Sequence, residues 1–172
     1  MKKFIFILII FIYNNADAQI EKGNWMIGSN IAVSKLEINK TNTVVDIFLN
    51  PNAYLFLADK FALGAGLDMN FRYSKVDTSN SNFNWGVGPA MRYYFYNKNK
   101  GGAFVNLKLY FGGNKDANSS FNPELNIGYD FILNDFMALE FFTGYGIIIP
   151  FKGNDLSHKI PFGIGFQIFL SK

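Results

Sequence analysis

The sequence predicts an all-β protein, an eight-stranded antiparallel up-and-down barrel, and three observations carry that prediction. Apolar and polar residues alternate with a period of two through segment after segment. Short turns and longer polar loops alternate between those segments. Aromatic residues make up 18% of the chain, with 20 Phe and 9 Tyr, and no segment beyond the N-terminal stretch shows a helical period. Aromatic-rich alternation of this kind suits a pleated surface with two unlike faces.

The stretch Phe61 to Ser74, FALGAGLDMNFRYS, shows the pattern most clearly. Phe61, Leu63, Ala65, Leu67, Met69, Phe71 and Tyr73 share one face. Ala62, Gly64, Gly66, Asp68, Asn70, Arg72 and Ser74 share the other. Its length is at the upper end of what globular sheets use.

Upstream, Lys2 and Lys3 precede an unbroken apolar run from Phe4 to Tyr13, and Ala16-Asp17-Ala18 supplies small residues at the positions a signal peptidase reads. The run is too short to span a bilayer as a helix. Residues 1–18 are therefore expected to be a cleaved secretory signal, with 19–172 as the barrel domain. Their removal takes away two Lys and one Asp, so the net charge of +3 falls to +2. With no Lys/Arg cluster, that charge argues against a nucleic-acid partner. The chain has no Cys, so it must hold together outside the cytoplasm without disulfides.

The remaining strands follow in order. About Trp25 to Leu36 sets Trp25, Ile27, Ile31 and Val33 against Met26, Gly28, Asn30, Ala32 and Ser34, and a polar loop follows. About Val44 to Leu57 sets Val45, Ile47, Leu49, Ala53, Leu55 and Leu57 against Asp46, Asn50 and Asn52, with Phe48, Tyr54 and Phe56 beside them. Pro51 predicts a bulge or irregular patch there. Phe83 to Tyr96, Ala103 to Phe111, Phe121 to Phe131, Met137 to Ile149 and Ile160 to Leu170 repeat the alternation. The loops at 37–43, 75–82, 113–119 and 150–159 are the long ones. Long connections on one side and short turns on the other, around an even number of strands, are what a membrane-crossing barrel shows.

Side-chain volume decides which face is outside. Phe, Leu, Ile, Trp and Tyr fill the apolar face of all eight strands, and a narrow barrel could not hold them inside. The opposite face is rich in Gly, Ala, Asn and Ser and carries Asp68, Arg72, Arg92, Lys108, Glu124, Asp130 and Glu140. These seven are expected to form a charge network in the lumen. On the lipid face each would cost roughly 2–4 kcal/mol near the midplane. Trp25, Tyr73, Trp85, Tyr93, Tyr129 and Tyr145 suit interfacial girdles. A soluble lipocalin-like carrier, with its apolar face turned inward, is the alternative from another class.

The stretch FLNPNAYLFLADKFALGAGL resembles the second hairpin of small OmpA-like outer-membrane β-barrel proteins of Bacteroidetes-like bacteria. A Pro-containing strand, an Ala-Asp turn and an ALG run recur in that family. The resemblance implies an outer-membrane location, contact with lipid and lipopolysaccharide, insertion by the barrel-assembly machinery, and loops free to meet an unidentified partner. Members usually end on an aromatic residue, whereas this chain runs past Phe169 to Leu170-Ser171-Lys172.

Chemistry beyond a plug finds little support in the sequence. For eight strands the lumen charges are expected to seal the interior; a narrow pore for ions or small solutes is the rival. The single His, His158, lies beside Ser157 and near Asp155 in the last long loop, an unpromising frame for a nucleophile and its base. One His, no Cys and scattered carboxylates predict no metal site and no cofactor. Asp77, Asp116 and Asp155 read as solvated loop charge. No enzymatic activity is expected.

Overall fold

The computed structural model describes residues 20–38, 43–74, 83–98, 100–114, 119–152 and 156–171; at 34–38, 43–45, 72–74 and Asn114 only the backbone is described. The expected signal at 1–18, and Asp77, Asp116 and Asp155, lie outside the described residues.

Among the described residues nine strands build the barrel: β1 (Trp25–Ile38), β2 (Thr43–Ala58), β3 (Phe61–Ser74), β4 (Phe83–Lys98), β5 (Gly101–Asn114), β6 (Ser119–Asn134), β7 (Met137–Pro150), β8 (Ser157–Lys159) and β9 (Phe162–Leu170). Each pairs antiparallel with its neighbour, and β1 pairs with β9 from Trp25↔Leu170 to Val33↔Phe162, closing the sheet. Closure leaves no sheet edge along most of the wall, a requirement for strands in a bilayer. β8 and β9 together form the eighth strand. Both hold one register against β7, Gly146↔Lys159 in β8 and Thr143↔Phe162 in β9. Ile160 and Pro161 separate them, since Pro161 has no N–H to give. Its carbonyl still accepts from the Gly144 N–H and the Thr143 hydroxyl, both at 3.1 Å.

The strands are strongly staggered. A line of cross-strand partners runs Val33, Phe162, Thr143, Ile127, Val105, Tyr93, Phe61, Ala58. It ends level with the foot of β1, where the Gly23 N–H donates to the Phe56 carbonyl at 2.8 Å. A stagger of about ten residues around eight strands corresponds to a tilt of roughly 35–45° and a narrow, filled interior.

The turns share one device. Register shifts fall between Phe56 and Ala58, Tyr94 and Tyr96, and Ile132 and Asn134, each in the strand leading into a short turn. At the first, Lys60 takes a φ of 69°, the left-handed residue that a turn followed by a bulge requires.

The faces separate as predicted. Ile31, Trp85, Phe111, Leu125, Ile127 and Phe166 are among the outward residues left about half exposed, and they recur around the whole circumference. An apolar belt of that extent would be untenable in water. Among the described residues no helix is long and apolar enough to cross a membrane; the strands do the crossing. Trp25, Tyr93 and Tyr129 lie on the outer face near the turn end, and Trp85 and Tyr145 nearer the loop end. The Tyr73 side chain lies outside the described residues. The lipocalin-like alternative fails on this arrangement, because the large apolar side chains point out.

Two expectations need correction, and a third holds in one of its two forms. Pro51 makes an irregular patch and no bulge: the β2–β3 ladder omits Asn50 and Pro51 but resumes in the same register at Asn52↔Gly66. Gly112 to Asn114 and Ser119 are strand, because Gly112 and Gly113 find partners both in β4 and in β6; the weak β propensity of Gly-Gly-Asn hid this. Ser157 to Lys159, expected in a loop, form β8.

Candidate functional site in the lumen

Inward positions alternate along every strand, so the lumen is built in layers by register. At the turn end the layer is apolar: Ile20, Phe56, Tyr94, Phe104 and Phe169 are essentially unexposed. Ile20 precedes β1 and tucks beneath the barrel, its carbonyl accepting from the Lys60 N–H at 3.2 Å. Small inward residues make room for large ones. A methyl on Gly102 would come within 2.8 Å of the Tyr94 ring, and one on Gly146 within 2.8 Å of Lys159 Cε.

Above that layer lies the first ion cluster. Arg92, from β4, is fully buried and sits between two carboxylates: its Nη1 donates to Glu140 Oε2 at 2.6 Å and reaches Asp130 Oδ2 at 3.4 Å. Glu140 also accepts from Asn30 Nδ2 at 2.6 Å and Gln167 Nε2 at 3.0 Å. The Tyr94 hydroxyl donates to Asp130 Oδ2. Arg92 Nε and Nη2 have no hydrogen-bond acceptor among the described residues. The guanidinium carbon instead lies 3.9 Å from the Phe104 ring centre, a cation–π contact. Two carboxylates thus share one guanidinium, surrounded from six strands.

The second cluster lies toward the loop end and carries two ammonium groups for two carboxylates. Glu124 Oε2 accepts from Lys159 Nζ at 2.6 Å, and Oε1 from Lys108 Nζ at 3.3 Å and Asn126 Nδ2 at 2.7 Å. Asp68 Oδ2 accepts from Lys159 at 3.3 Å, and Oδ1 from Asn50 Nδ2 at 2.7 Å. Between the clusters, Asn106 Nδ2 donates to the Tyr54 hydroxyl at 2.9 Å. In this second cluster each carboxylate meets both an ammonium and an amide, the condition under which a buried ion pair is tolerated.

Of the seven residues assigned to the lumen by sequence, six lie in these clusters: Arg92, Asp130 and Glu140 in the first, Asp68, Lys108 and Glu124 in the second. Arg72 is placed in β3 opposite Asp46, and its side chain lies outside the described residues. Lys159 was missed, although it bridges both carboxylates of the second cluster. Its signal was available: stepping back by two from the inward positions Phe169, Gln167, Gly165, Gly163 and Pro161 reaches it. Reading 150–159 as loop stopped the count. Asp46, also buried, was placed on the inward face but left out of the network.

His158 does not meet a nucleophile. As neighbours in β8, Ser157 and His158 point to opposite faces. His158 Nδ1 instead lies 2.6 Å from the Tyr145 hydroxyl on the outer surface, where the two rings stack. Among the described residues no group of three His, Cys, Asp or Glu side chains is disposed to hold a metal ion.

Comparison with known proteins finds no matching family model and no matching curated protein. Solved structures do match. Neisserial surface protein A superposes with a TM-score of 0.60 at 10% identity, over 84% of this chain and 95% of that one. The outer membrane protein OprG of Pseudomonas aeruginosa gives 0.51 at 16% identity, over 91% and 100%. The N-terminal β-barrel domain of OprF from the same organism gives 0.54 at 9% identity, over 87% and 98%. The fold is that of small outer-membrane barrels. A closed barrel with an apolar belt has its place in an outer membrane, where such barrels are found.

Proposed function

We propose that the barrel is a sealed outer-membrane protein with a structural or surface-interaction role, acting through its loop end and its outer wall and not as a pore. The observation that carries this reading is Arg92: a fully buried guanidinium with Glu140 and Asp130 on one side and Phe104 on the other, standing over an apolar layer that ends in Ile20. An ion or solute would have to break these contacts and pass between packed rings. The separation of Ser157 from His158 favours a role without catalysis. The partners that follow are outer-membrane lipid and lipopolysaccharide along the belt, the barrel-assembly machinery during insertion behind a signal at 1–18, and a ligand of the loops.

Swelling of proteoliposomes in a series of sugars tests the seal. Swelling no faster than in protein-free vesicles is the expected result. Swelling that depends on solute size would overturn the reading and establish a pore.

A further inference from the structure

Above the second cluster the lumen opens into a recess of about 170 Å³. Asn70 and Asn84, cross-strand partners on β3 and β4, form one wall, and Asn122 and Ser120 of β6 form another. Phe48 and Ile148 supply apolar flanks. Asn70 and Asn122 are each only 8% exposed, yet the Oδ1 of each has no hydrogen-bond partner among the described residues. Buried carboxamide oxygens are ordinarily satisfied. Two of them lining one cavity, from strands three apart in the wall, constitute a prepared set of acceptors.

The floor restricts what those acceptors can take. Both oxygens of Asp68 are occupied, one by Asn50 and one by Lys159. Lys159 is itself committed to Glu124 and Asp68. Among the described residues an anion finds no uncommitted ammonium there, and a cation meets the Lys159 charge. What remains is a hydroxyl-accepting recess with paired charges in its floor and an apolar side. It is smaller than the 300–1,000 Å³ typical of drug-sized ligands, and barrel mouths are recurrent ligand sites.

We propose that this recess binds one neutral polyhydroxylated ring, a hexose-sized sugar. Ring hydroxyls donate to Asn70 Oδ1 and Asn122 Oδ1, displacing water, while the C–H face of the ring lies toward Phe48 and Ile148. The sugar is either free or the end of a surface glycan; both offer the same hydroxyls. Binding does not depend on whether the lumen below conducts.

Saturation-transfer NMR on the intact barrel, in a detergent without a sugar headgroup, tests this. One arm uses methyl hexosides and the other a deacylated lipopolysaccharide oligosaccharide. Saturable binding in either arm, weakened about tenfold or more by Asn70→Leu or Asn122→Leu and unchanged by the lipid-facing Leu125→Ala, supports the site. The arm that binds identifies the source. Should a variant fail to fold, singly deoxygenated hexosides on the unmodified barrel replace it, and one hydroxyl must prove essential. No saturable binding in either arm, or binding indifferent to both substitutions and to every deoxygenation, overturns the proposal.

Discussion

The two ion clusters of the lumen are built differently, and the difference indicates which part of the plug is fixed. The Arg92 cluster has one planar cation between two carboxylates, with Tyr94, Phe104, Asn30 and Gln167 filling the rest of its surroundings. The Lys159 cluster has two flexible ammonium groups, and its bridging member comes from a three-residue strand paired with β7 alone. A guanidinium holds its partners by geometry, whereas an ammonium acts as a point charge on a mobile stem. The first cluster therefore fixes the lumen, and the second tunes it.

Removing Arg92 should break the comparison most severely. Arg92→Ala leaves Asp130 and Glu140 buried without a cation, at a cost of about 3–5 kcal/mol. Urea unfolding in micelles, followed by the heat-modifiable gel shift, would register it as the largest loss among single lumen substitutions. Lys159→Ala should cost less, about 1.5–3 kcal/mol, because Glu124 keeps Lys108 and Asn126 and Asp68 keeps Asn50. Equal losses for the two would erase the distinction between the clusters. Gly146→Ala should cost about 1 kcal/mol, since its methyl meets the Lys159 stem, which can bend away. Adding it to Lys159→Ala should then cost almost nothing, a coupling that a double-mutant cycle reads directly.

The smallest effect lies outside the lumen. Lys60 holds a φ of 69° in the β2–β3 turn, and Lys60→Gly should gain roughly 0.5–1 kcal/mol as left-handed strain is relieved, part of it offset by the freer unfolded chain. A loss on this substitution would mean that the Lys60 side chain matters to the turn more than its backbone does.

Much of this arrangement could be read from the sequence because period two is a local property. Each strand states its own inward and outward faces, and the lack of charge along the middle of one face identifies it as the lipid side. The pairing of Arg92 with Glu140, or of Lys159 with Asp68, is not local. It depends on a stagger accumulated around the whole barrel, which no single segment encodes. Lys159 escaped notice because Ile160-Pro161 breaks the ladder without breaking the register, so a true strand looked like the end of a loop. Ile20 escaped because its position under the barrel is held by a backbone hydrogen bond from Lys60, with no periodicity to announce it.

The claim that the lumen is a plug is tested most directly by single-channel recording in planar bilayers, with the intact barrel beside Arg92→Ala. A silent intact barrel and a variant that opens measurable current would agree with a seal made by the Arg92 cluster. Steady current through the intact barrel, lost on Arg92→Ala, would contradict it and make the same residues the lining of a path.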